Sequence, residues 1–148
     1  MKGILVKDLL SGKKQSELGS ISVESTVRDA ARVISDMRVG ILVIFDDQQK
    51  FKGLISERDV ARVLADHGSD AAEMKAIDVA TKNVSGCTPD TELDYVLDTM
   101  KTKHFRHMPV MVDNQISGII SMGDILRFLL NERETPKKSG VLSKFLGG

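Results

Sequence analysis

The sequence predicts a mixed α/β (α+β) protein built from two β-α-β-β-α repeats packed with pseudo-twofold symmetry. Three observations lead there. The stretch from Arg106 to Asp124 holds two apolar, β-rich runs around a polar tip at Asp113-Asn114-Gln115, the pattern of a β-hairpin. The second run ends at Ser121 and passes, through Asp124, into the helical spacing of Ile125, Phe128 and Leu129. The same order occurs earlier, where Gly53, Ile55, Ser56 and Asp59 precede Gly118, Ile120, Ser121 and Asp124 by a constant 65 residues.

In chain order, Ile4 to Leu10 is a short amphipathic piece followed by a polar link, so residues 1–20 are expected to be an N-terminal segment and linker. The first repeat, 21–68, opens on a brief strand at Ile21-Ser22-Val23. A helix follows, capped by Ser25 or Thr26, with Val27, Ala30, Ala31, Ile34 and Met37 on one stripe. A hairpin around Asp46-Asp47 leads to a helix from about Glu57 to Asp66 that buries Val60, Val63 and Leu64 and stops at His67-Gly68. Residues 69–82 connect, with a short helix through Ala71, Ala72, Met74 and Ile77.

The second repeat, 83–133, predicts a strand near Val84 to Cys87 and a helix with Leu93, Val96, Leu97 and Met100 inside. These four lie 66 residues after Val27, Ala30, Ala31 and Ile34, so the change from 66 to 65 falls in the hairpin loop, where a repeat tolerates it. Residues 134–148 read as a flexible tail. Neither half alone buries much apolar surface, which favours the paired packing.

Composition narrows the function. The 148 residues carry 21 Lys plus Arg against 21 Asp plus Glu, which argues against nucleic acid as a partner. At 41% hydrophobic and 4% aromatic, without Trp, the core is aliphatic. A single cysteine, Cys87, suits a reducing compartment and reads as a small buried hydrophobe. No apolar run approaches the roughly 18 residues that span a bilayer, and the N-terminus lacks a signal-peptide core. A cytoplasmic protein with no membrane partner is expected. His104 and His107 have no Cys or carboxylate at a spacing that completes a metal set. No nucleophile–base pair or Walker-type loop stands out, so no catalytic residue and no enzyme activity are expected.

The paired Gly-apolar-apolar-Ser-x-x-Asp motifs, together with Ser56-Glu57-Arg58-Asp59 and Phe105-Arg106-His107-Met108-Pro109-Val110, resemble tandem CBS domains (a Bateman module). The likeness runs from Ile4 to Glu132 and is closest to small bacterial proteins consisting of one CBS pair. Leu42-Val43, where many copies carry a Pro, and Val79-Ala80-Thr81, in place of the usual Met-Thr, depart from the pattern. The resemblance implies a regulatory, non-catalytic sensor that binds AMP, ADP, ATP, NAD(H) or S-adenosylmethionine in clefts between the repeats. It also implies a homodimer whose state a protein target reads.

A nucleoside asks for a slot for the base, acceptors for the ribose diol and donors for phosphate. Asp59 and Asp124 suit the ribose. Ser56, Arg58, Arg106, His107 and Ser121 suit phosphate, the serines through the helix starts they sit on. Ser22, Gly40, Ile41, Ser85, Met108, Pro109 and Ile120 are candidates for the base slot. Ser-x-x-Asp before an apolar helix is equally a capping box that needs no ligand. The competing expectation is therefore a ligand-free interaction or dimerisation module.

Overall fold

A computed structural model of the chain describes residues 3–11 and 18–132. Lys13 and Lys14 in the polar link, and the tail from 134 to 148, lie outside the described residues. The chain forms two compact units, one of residues 16–84 and one assembled from 1–15 together with 85–148.

The contiguous unit contains β1 (Ser20–Ser22), α2 (Val27–Met37), β2 (Ile41–Phe45), β3 (Phe51–Ser56) and α3 (Glu57–His67), in chain order after α1 (Val6–Ser11). β1 pairs parallel to β2, and β2 pairs antiparallel to β3. Thr26 caps α2 through a reciprocal pair of bonds with Asp29. Gly68 ends α3 at φ +59, donating its N–H to the Leu64 carbonyl. A 3-10 turn at Gly68–Glu73 and α4 (Ala76–Val79) then replace the single connecting helix read from the sequence. Both pack on this unit: Ala71 joins Val27 and Val63, and Ala76 joins Ile21, Leu42, Ile44 and Ile55. α3 turns Val63 toward Val27 and Ala71, which leaves Leu64, expected inside, 59% exposed. Thr81 closes the edge of β3 with two backbone bonds to Leu54, both 2.9 Å. A Cβ on Gly53 would lie 3.0 Å from the Thr81 carbonyl, so this glycine is what admits that edge.

The second unit contains α5 (Leu93–Lys103), β4 (His107–Val112), β5 (Gln115–Ser121) and α6 (Met122–Glu132). Leu93, Val96, Leu97 and Met100 are all buried, as their spacing predicts. β4 and β5 form the hairpin, with Asp113 and Asn114 at φ 52 and 62 making its two-residue turn. The first hairpin uses five residues, 46–50, and both hairpins shift register at equivalent places, after Ile44 and after Val110. The strand expected near Val84 to Cys87 is reduced to one parallel bridge, Cys87 with Val110. In the first unit the Val43 N–H donates to the Gly19 carbonyl at 2.9 Å. Pro109 stands at the equivalent place and has no N–H, so the ladder stops one bond short.

What completes each unit is an arm from the start of the other repeat. Ile4, Val6 and Leu9 enter the core of Leu93, Met100, Met108, Val110, Ile120, Ile125 and Leu129. Val6 N–H donates to the Thr91 carbonyl and Leu93 N–H to the Ile4 carbonyl, both at 2.9 Å. In the other unit Ala76 N–H donates to Ser25 and Val27 N–H to Met74, at 2.9 and 2.8 Å. The amphipathic piece before the polar link and the connecting segment are thus core elements with matching roles. Replacing Leu9, 3% exposed, by Ala is expected to cost about 2–4 kcal/mol in urea unfolding. Hydrogen exchange should show the lost protection in β4 and β5 rather than in β2 and β3.

Candidate functional site

In each repeat the second hairpin strand becomes a helix with no residue between them: β3 ends at Ser56 and α3 starts at Glu57, β5 ends at Ser121 and α6 starts at Met122. The first-turn N–H groups therefore have to be satisfied locally. Ser56 Oγ accepts from Asp59 N–H at 3.1 Å, and Asp59 Oδ2 accepts from Ser56 N–H at 2.8 Å and lies 3.0 Å from Ser56 Oγ. Ser121 Oγ accepts from Asp124 N–H at 3.0 Å, and Asp124 Oδ2 accepts from Ser121 N–H at 2.9 Å. The next amide reaches across the hairpin. Glu57 N–H donates to the Gly40 carbonyl at 2.9 Å, and Met122 N–H donates to the Arg106 carbonyl at 2.8 Å.

These bonds assemble a corner around each motif. Ile41 faces Ser56 in the first ladder and His107 faces Ser121 in the second, so Gly40-Ile41 and Arg106-His107 occupy equivalent places. Arg58 and Arg106 are exposed, and His107, Gly40, Ile41, Ser56 and Ser121 are half-buried. The aspartate side chains are more enclosed, at 13% exposure for Asp59 and 11% for Asp124. Asp29 also closes a capping box, but on the exposed side of α2. The Thr26 backbone and hydroxyl bonds hold its carboxyl below the usual range.

The base-slot candidates divide. Ser22 is exposed, its hydroxyl accepting from Glu24 N–H at 2.9 Å. Ser85 is half-buried and accepts from Lys103 Nζ at 3.0 Å. Pro109 is buried, and its carbonyl takes the Cys87 N–H. Met108 and Ile120 have no accessible surface and fill the core of their unit, which leaves a base nothing of them to touch.

Two residues at these corners were not singled out in the sequence. Arg62 Nη1 lies 3.3 Å from Asp59 Oδ1, and Arg127 Nη2 lies 2.6 Å from Asp124 Oδ1. Each is three residues past its aspartate, a spacing visible in the sequence but shared with many surface ion pairs. Arg62 also donates to the Val79 carbonyl at 3.3 Å. Cys87 is 5% exposed, with its thiol 3.6 Å from the Pro109 carbonyl, and burial pushes its pKa up to about 11. Among the described residues no cluster of three or more His, Cys, Asp or Glu is placed to hold a metal ion. No helix among them is long and apolar enough to cross a membrane.

Two copies of an α-β-β-α unit, each with a capped Ser-x-x-Asp corner, define a tandem repeat protein. Residues 6–66 and 76–131 both match the CBS domain, and the chain belongs to that family. An uncharacterized 17.7 kDa protein of Acidianus ambivalens is 36% identical over 107 residues, 72% of this chain and 63% of its own length. The mitochondrial CBS domain-containing protein CBSX3 of Arabidopsis thaliana is 30% identical over 134 residues, 86% of this chain and 65% of its own. The chain thus spans just under two thirds of these two relatives. A CBS-domain protein of Agrobacterium tumefaciens has a similar structure, with a TM-score of 0.79 and 28% identity over 86% of this chain and 96% of that one. The CBS pair of protein MJ0100, solved with 5′-methylthioadenosine and S-adenosylmethionine, superposes with a TM-score of 0.70 at 26% identity. That match covers 84% of this chain and 98% of the other.

Removing one cap, Ser121→Ala, is expected to lower stability by about 1 kcal/mol, read in urea unfolding. Cys87 adds a pH dependence. An unfolded thiol ionises near 9.0 and the folded one near about 11, so the unfolded chain loses its proton first as pH rises. This contribution is whole below pH 9.0 and disappears through about pH 11, and unfolding curves of Cys87→Ala should lack that decline.

Proposed function

We propose that the chain is a regulatory, non-catalytic module that binds an adenosine-containing ligand at its two Ser-x-x-Asp corners. The observation that carries the reading is the pair of nearly enclosed, capping-oriented aspartates, Asp59 and Asp124, one in each repeat. An ionised carboxylate accepts from both hydroxyls of a ribose, and such charge-assisted bonds are the strong kind. Support also comes from protein MJ0100, whose two ligands share an adenosine and differ beyond it. The 5′ end of the ligand falls to the exposed cations Arg58 and Arg106, with His107, Ser56 and Ser121 beside them. Phosphorylated forms such as AMP, ADP, ATP or NAD(H) suit that surrounding. The base is left to backbone and small groups at Gly40, Ile41, Ser22 and Ser85.

Ligand occupancy is read out as a shift between two conformations of the repeats, through a homodimer or a protein target, and its size is set by differential affinity. A location in the cytoplasm accords with the single thiol. The second reading, a ligand-free interaction module, draws on the fact that both serines and both aspartates already serve as helix caps.

A thermal-shift screen of 5′-methylthioadenosine, S-adenosylmethionine, AMP, ADP, ATP, NAD⁺ and NADH separates the two. At about 100 times Kd, a ligand adds roughly 2.7 kcal/mol. For a chain of this size that is on the order of 5–10 °C. A shift of this size that disappears in Asp59→Asn or Asp124→Asn supports the sensor. No shift with any compound favours the interaction module.

A further inference from the structure

The two oxygens of each motif aspartate meet different groups. Oδ2 takes the bonds of the cap, from Ser56 in one repeat and Ser121 in the other. Those bonds already fix the plane and rotamer of the carboxylate. Oδ1 instead meets an arginine one helical turn on, Arg62 at 3.3 Å and Arg127 at 2.6 Å. The same pair therefore occurs at the same place in both repeats, although neither arginine is needed to orient its aspartate.

An almost enclosed carboxylate oxygen requires a donor. The cap takes part of the acceptor capacity of Oδ2, so a ribose diol approaching this corner needs Oδ1 as well. The arginine side chains are 55% and 71% exposed, free to swing into water, and a solvent-screened ion pair of this kind is weak enough for a better-placed donor to displace.

We infer that Arg62 and Arg127 are placeholders: each satisfies Asp Oδ1 until the vicinal hydroxyls of a ribose displace it. The inference rests on the adenosine-binding reading above and adds a specificity element to it. The arginine subtracts from affinity, and only a ligand with a 2′,3′-diol recovers what it gives up. In the first repeat the displaced guanidinium keeps one anchor, the Val79 carbonyl at the end of α4.

The test is calorimetric titration of adenosine and of 2′,3′-dideoxyadenosine into the parent chain, Arg62→Gln, Arg127→Gln and Arg127→Lys. Uncharged nucleosides keep the lost positive charge from acting through a phosphate. The Gln variants should bind adenosine about two- to fivefold more tightly, the worth of an exposed ion pair. They should leave dideoxyadenosine unchanged, and Arg127→Lys should fall between. Unaltered or weaker adenosine binding by the Gln variants, with a parent that binds, overturns the placeholder and leaves the adenosine site standing. An equal gain for dideoxyadenosine overturns it as well. No adenosine binding by any of the four proteins overturns the site and the placeholder together.

Discussion

The absence of any loop between hairpin and helix is the constraint on which the two repeats depend. At Ser56 and at Ser121 the backbone changes from strand to helix within one residue, and the first-turn amides must find acceptors there. A serine hydroxyl, an aspartate carboxylate and the carbonyl of Gly40 or Arg106 supply them. Because that carbonyl immediately precedes the partner strand, the helix is tied to both strands of its hairpin. The tie fixes which residues of α3 and α6 face the core, and brings the start of one strand beside the motif aspartate.

This double duty explains why a capping signature and a ligand signature are hard to separate on paper. The carboxylate has more acceptor capacity than the cap consumes, so one role does not exhaust the residue. The chain contains its own contrast. Thr26 and Asp29 make the same reciprocal bonds at α2, but Asp29 stands in solvent, where water meets its remaining capacity. At Asp59 and Asp124 the surroundings exclude most of that water, and the second oxygen needs a designated partner. Burial, which the motif does not encode, distinguishes the two situations.

Much of the fold could be read from the sequence because the duplication makes each repeat a check on the other. The hairpins, the four main helices and the loop that absorbs the change of spacing follow from local patterns and constant separations. What escaped depends on distant residues. The bonds that would extend a strand at Val84 to Cys87 fail because of Pro109, more than twenty residues on. That Ile4, Val6 and Leu9 belong to the second core, and Ala76 to the first, cannot be told from amphipathicity, which shows that a helix has an apolar face but not what covers it. At the corners, order along the chain puts each serine at a strand–helix junction and each aspartate in the first turn of the helix, where the structure has them. The alternation of a half-buried strand gives no warning that Met108 and Ile120 are sealed inside.

The crossed arms also set a timetable for synthesis. Residues 16–84 are one uninterrupted stretch, so that unit has every part it needs once this length has left the ribosome. The other unit is spread across both ends of the chain. Its first pieces, Ile4, Val6 and Leu9, are made before the contiguous unit and wait for Ile125 and Leu129, made after it. Domains generally fold as units, earlier ones first, as the chain emerges. Here residues that precede the contiguous unit join one that follows it, and while the contiguous unit is being made the nascent chain carries an apolar segment whose destination has not yet been built.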